Sequence, residues 1–247
     1  MKTLIISALF FLCATNAAIA CEKCSAYANS EDFNIKAARI TQNKLNNTLE
    51  FEITVGGKAG ETKPKAIWKF DMAPVLGYVF PTTLKPEDIG FSSTQGIVAL
   101  ALTSHPDFDD TPLWDENNDR NFANDGILWH PHWVILIKDD RVGGGLSVKE
   151  HKKADLVTKP KTAPEMNMYM DSPGYPVATV GKVIRVSVPL FHVNNQTKFK
   201  FDAVACYMEI SAPDGKEMEK KMDKPMLGVY NVFSILSKNL SLPFEVK

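Results

Sequence analysis

Leu49, Phe51, Ile53 and Val55 alternate with Glu50, Glu52 and Thr54, and Gly56-Gly57 then ends the run. A period of two puts the apolar side chains on one face of an extended chain and the polar ones on the other, so this stretch reads as a strand with one wet face. Short runs of similar character recur at 67–70, 97–102, 133–137, 183–188 and 199–210. Turn clusters separate them, among them the Asp-, Gly-rich stretch 139–145 and Ala212-Pro213-Asp214-Gly215. Helical periodicity is confined to two short candidates, 25–38 and 216–222, and the 15 prolines and 14 glycines suit many turns. The expected class is therefore all-β, an antiparallel β-sandwich or distorted barrel with long loops and one or two short helices. The Lys-, Pro- and Met-rich stretch 151–176 reads as a long surface loop or crossover. The strands after it are too few to close a second core, so residues 21–247 are expected to form a single β-rich domain.

The chain opens MKTLIISALFFLCATNAAIA, with one lysine, an apolar run from Leu4 to Cys13, and small residues at Ala18 and Ala20. Residues 1–20 thus carry the anatomy of a secretory signal peptide, which predicts a periplasmic or secreted protein. The apolar run is too short to span a membrane and no later stretch is long enough, so no transmembrane segment is expected. Cys21 stands directly after the cleavage position, where a lipid anchor is the alternative to a free mature terminus. With a net charge of −1 and no basic block, nucleic acid is not an expected partner. Beyond the leader three cysteines remain, Cys21, Cys24 and Cys206. In an oxidising compartment two can pair, as Cys21–Cys24 or as a bridge from either to Cys206.

The segment DENNDRNFANDGILWHPHW, from Asp115 to Trp133, carries most of the metal-binding chemistry. Asp115, Asn117 and Asp119 occupy the first, third and fifth places of a calcium loop, where short oxygen side chains converge on a hard cation. Arg120 then stands where such a loop calls for glycine, and Gly126 where it calls for glutamate, so a standard EF-hand is excluded. A looser oxygen cage drawing on Asp107, Asp109, Asp110, Asn124 or Asp125 competes with a plain Asx-rich turn. His130 and His132 flank Pro131 at the start of an apolar run, and residues two apart on a strand share a face. Two imidazoles on one face suit a transition metal, zinc or copper, with His105 as the natural third ligand and Asp107 or Asp125 as a carboxylate alternative. Pro131 cannot donate to a ladder and predicts an edge, bulge or strand start, hence an exposed site.

The stretch from Ser104 to Trp133 resembles a family of exported bacterial proteins of unassigned function, which share a pattern like SHPDFDDTPL, DEN, NDG and WH.HW. The likeness covers about thirty of 247 residues, with weaker similarity around Gly57–Gly60 and Asp171–Gly174. It implies that the acidic loop and the histidine pair form one unit, and it implies no activity.

Met166, Met168 and Met170 recur at every second residue, which on an extended chain aligns three thioethers. Soft sulfur suits Cu(I), whereas methionine more commonly fills gaps in a core. No nucleophile elbow, phosphate loop or HExxH motif occurs. The sequence therefore predicts an exported metal-binding protein with a His-centred zinc or copper site and calcium as an option at the acidic loop. The alternatives are a metal-dependent enzyme using the same residues and a cell-envelope interaction module without a metal.

Overall fold

The computed structural model describes residues 23–65, 71–105, 120, 128–211 and 223–247. Strands are numbered in chain order. The alternation at 49–55 forms β2 (Thr48–Val55), in which every second residue is buried. It pairs antiparallel with β1 (Ile35–Asn43) in a register that sets Ile40 against Phe51. On its other side β9 (Val183–Pro189) pairs with β2, and β8 (Val177–Val180) follows, giving a four-stranded sheet in the order β1-β2-β9-β8.

The second sheet contains β3 (Pro74–Pro81), β4 (Ile97–Ser104), β5 (His130–Lys138), β6 (Leu146–Val148), β7 (Met170–Asp171), β11 (Val204–Ile210) and β12 (Leu227–Ile235). Its order is β4-β3-β11-β12-β6-β5, and the additional pairing of β4 with β5 closes these six strands into a barrel. β7 is the extra strand, laid against β5 at Trp133 and Val134. A short pair, β10 (Lys200–Phe201) with β13 (Phe244–Glu245), completes the strands among the described residues.

Period two along the barrel strands separates two cores. Outward-facing Tyr78, Phe80, Leu100, Trp133, Ile135 and Tyr207 meet Ile40, Leu49, Phe51 and Ile53 of the four-stranded sheet. Phe51 meets Phe80 and Trp133 edge-on, with ring centroids 5.3 and 6.2 Å apart. Inward-facing Val79, Ala101, Val134, Cys206, Met208 and Val229 fill the barrel lumen. The molecule is thus a barrel with one wall packed against a sheet, so the sandwich and barrel expectations each describe part of it.

Four local departures have physical causes. The helix expected over 25–38 stops after α1 (Ser25–Ala28), and Ile35–Asn43 is strand. Its residues gain a full ladder with β2, and tertiary pairing outweighs weak local propensity. The run 199–210 divides at Asp202, a buried carboxylate that accepts from the Ala203 amide at 2.8 Å and from the Ser237 hydroxyl. β3 is buried along its whole length and so offers no alternation to read. Cys24 is disulfide-bonded whereas Cys206 is a free thiol in the lumen, so neither Cys24 nor Cys21 is bridged to Cys206. The stretch 151–176 is mostly irregular, and it ends by delivering β7 to the barrel. The expected elements at 67–70 and 216–222 lie outside the described residues, and no described helix is long and apolar enough to cross a membrane.

Candidate metal centre

β4 and β5 run antiparallel with Ala101 opposite His132 and Thr103 opposite His130. Directly opposed residues share a face, so Ala101, Thr103, His130 and His132 all lie on the lumen side. His105 follows the end of β4 with the same parity. The three imidazoles converge there, with one ligand nitrogen from each lying within 4.8 Å of the others. The ring centroids are 4.5 Å apart for His105–His130, 4.8 Å for His130–His132 and 5.8 Å for His105–His132.

Each ring is oriented by its surroundings. His130 Nδ1 donates to the Leu128 carbonyl at 3.0 Å, which leaves its Nε2 as the lone-pair nitrogen. That Nε2 lies 2.7 Å from His105 Nε2, a hydrogen bond in which His105 is then the donor. His132 Nδ1 lies 2.9 Å from the Ser172 hydroxyl on the segment after β7. Nitrogens bound to one tetrahedral ion at about 2.0–2.1 Å stand roughly 3.3 Å apart, so modest ring adjustments bring all three to one ion. A ligand histidine whose second nitrogen is held by a carbonyl or hydroxyl is the usual arrangement in metal sites.

The trio is largely withdrawn from water, contrary to the exposed site predicted from Pro131. His105 and His132 are 3% and 4% exposed, and His130 is half-buried. Pro131 does stand at a strand start, facing Leu102 of β4, while β7 joins the other edge of β5 only from Trp133. The burial comes from barrel closure, which no local signal announces. It pushes His132 down to about 3, and the neighbouring His105 adds to the effect against an opposing hydrogen bond to the Asp171 backbone. His132 is therefore a neutral imidazole, the ligating form, at any physiological pH.

The carboxylate and amide candidates Asp107, Asp109, Asp110, Asp115, Asn117, Asp119, Asn124 and Asp125 lie outside the described residues, as does Cys21. Arg120, in the place of the loop glycine, has φ +65°, the left-handed value that glycine adopts there. Of the methionines, Met168 and Met170 are buried and Met166 packs against them in the lumen core. Met170 lines the same lumen cavity as His132.

Sequence reasoning missed Ser172 and Asp171. Ser172 lies 40 residues from its imidazole partner, and β7, which carries it into place, is only two residues long. Asp171 is buried, accepts from the Thr162 hydroxyl at 2.6 Å, and has its carboxyl raised above the usual range by burial. Comparison with family models, with curated proteins and with solved structures gives no match.

Proposed function

We propose that the protein is exported to the periplasm or beyond, and there binds a zinc or copper ion through His105, His130 and His132. The observation that carries this reading is the approach of three ligand nitrogens to within 4.8 Å of one another, one from the residue after β4 and two from the start of its partner β5. Imidazole serves both metals well. Met170 lines the same lumen cavity as His132, and a soft thioether in that lining is the feature that would favour copper. Export rests on the signal-peptide anatomy of residues 1–20, with the lipid anchor at Cys21 as its membrane-attached variant. The likeness of 104–133 to exported bacterial proteins belongs to the same reading, with calcium at the acidic turn as a secondary site.

A second reading is a metal-dependent enzyme. Three histidines are the ligand set of several catalytic sites, in which the fourth position is left to water or substrate.

Metal analysis of the purified mature chain tests the main reading. Zinc or copper near one equivalent is expected, falling to background in the His105→Ala, His130→Ala double variant. A chain that carries neither metal, and whose melting temperature is unmoved by adding either, overturns it.

A further inference from the structure

The face of β5 turned away from the lumen borders a second cavity. β7 pairs antiparallel with β5 so that Asp171 stands opposite Trp133 and Met170 opposite Val134. Opposed residues share a face, so Met170 joins the lumen core and Asp171 is set beside Trp133 on the outer side of the barrel wall. A cleft of ≈ 510 Å³ opens there, within the range of small-molecule sites. Ile89, Trp133, Asp171 and Tyr175 are its buried lining, and Lys161 and Phe191 are exposed. It shares no side chain with the histidine trio.

Charge narrows what this cleft can take. Its lining holds three carboxylates, Glu87, Asp88 and Asp171, against one ammonium, Lys161. Glu87 and Lys161 are both exposed and opposite in charge. Asp88 is occupied, since its Oδ2 accepts from the Lys85 backbone amide at 2.9 Å and its Oδ1 from the side-chain amides of Asn194 and Gln196 at 3.4 Å. His192 is tied at Nδ1 to the Tyr175 hydroxyl at 2.6 Å, and burial lowers its affinity for a proton, so the ring brings no positive charge at neutral pH. Asp171 is left as the odd charge. It is 4% exposed, accepts hydrogen bonds from the Thr162 hydroxyl and the Ser172 backbone, and pairs with no Lys or Arg among the described residues. A carboxylate withdrawn from water without a counter-charge is costly, and neutral hydrogen bonds offset that only in part. Ile89, Trp133 and Pro160 make the walls around it apolar, and Phe191, 66% exposed, adds an aromatic ring. We propose that the cleft binds an alkylammonium, whose charged head meets Asp171 and whose hydrocarbon stem lies along the apolar walls and the Phe191 ring.

This cleft does not require the ion, so it is tested on the metal-free chain. Butylammonium and 1-butanol have nearly the same shape, and only the first carries a charge. The backbone amide signals of Gly90, Thr162 and His192 report occupancy of the cleft in an NMR titration. Butylammonium is expected to shift them with a roughly millimolar dissociation constant, at least about tenfold tighter than 1-butanol. Asp171→Asn keeps the shape of the side chain without its charge, and is expected to weaken butylammonium at least about tenfold while leaving 1-butanol within about twofold. Phe191→Leu, at an exposed position, keeps an apolar surface without the aromatic face and should weaken butylammonium about threefold and 1-butanol by less. An alkylammonium can be a free amine or the side chain of a peptide lysine. Binding of Nα-acetyl-lysine methylamide as tightly as butylammonium assigns the cleft to the second source, and binding of butylammonium alone assigns it to the first. The proposal is overturned if butylammonium leaves the three amide signals unmoved, if 1-butanol binds as tightly, or if neither Asp171→Asn nor Phe191→Leu discriminates between the two guests.

Discussion

At the scale of single residues, His130 and His132 play unequal parts. His130 is half-buried, held by the Leu128 carbonyl and by its hydrogen bond with His105, and lies at the start of β5, so its removal touches the ion more than the fold. His130→Ala is expected to weaken zinc or copper binding by roughly 100-fold or more, with the metal-free stability lowered by about 1–2 kcal/mol because buried His105 loses its hydrogen bond. A competition titration against a chelator measures the first, and chemical denaturation the second. Ser172→Ala removes the group that fixes His132 without removing a ligand, and should cost about 10–100-fold in metal affinity. An unchanged affinity in that variant would mean that the hydroxyl does not orient the ring. Asp139 offers a test away from the site. Arg141 grips it with Nε to Oδ1 at 2.9 Å and Nη2 to Oδ2 at 2.7 Å, and this pairing holds the carboxyl down at about 2. The unfolded carboxyl titrates near about 3.9, so the folded state binds the proton less well. The resulting stability is present above about pH 4 and is lost as pH falls through about 2. Because Arg141 is partly exposed, the full linkage value is discounted to about 1–2 kcal/mol. Denaturation of Asp139→Asn should show that loss at pH 7 and a flatter profile between pH 4 and 2.

At the scale of elements, the start of β5 is placed by packing around Gly60. Trp129 Nε1 donates to the Gly60 carbonyl at 2.9 Å, and the Gly60 amide donates to Tyr78 Oη at 3.3 Å. Tyr78 packs tilted against Trp129, with ring centroids 4.8 Å apart, and donates to the Asp32 carbonyl at 2.7 Å. Gly60 has φ +74°, and a Cβ there would meet Thr179 Cγ2 at 2.6 Å and Trp129 Nε1 at 2.8 Å. Gly60→Ala should therefore destabilise the protein by about 2–3 kcal/mol and weaken metal binding as well, because Trp129 directly precedes His130. Calorimetry and the same chelator competition check both effects. Strand identity at β2, β4, β5 and β9 was legible because one face of each is polar or because turn residues bound it. The shared face of His130 and His132 followed from their spacing, and His105 from its place after β4. β3 escaped notice, since a strand buried on both sides has no alternation and resembles any apolar run; β12, buried at its first three residues and half-buried along the rest, shows no alternation either. β7, only two residues long, showed in the sequence as no more than the end of the alternating Met166–Met170 stretch, yet it brings Ser172 to His132.

At the scale of the whole molecule, ligand binding and stability are linked. An ion present at about 100 times its dissociation constant adds about 2.7 kcal/mol, enough to raise the melting temperature of a chain this size by roughly 5–10 °C. The rise should vanish with a chelator and in His105→Ala, and a rise that persists in that variant would place the ion elsewhere. Barrel closure could not be read from the chain, because the pairing of β4 with β5 is decided by how six strands sum around a ring. That same pairing carries the trio, with His105 after β4 and the other two imidazoles on β5. An ion held there fastens the seam at which the ring shuts. Its effect would then be felt in time as well as in equilibrium: the barrel could not open along β4 and β5 until the ion had left. Amide hydrogen exchange across residues 97–104 would slow on loading, and the unfolding rate of the loaded protein would be governed by metal release.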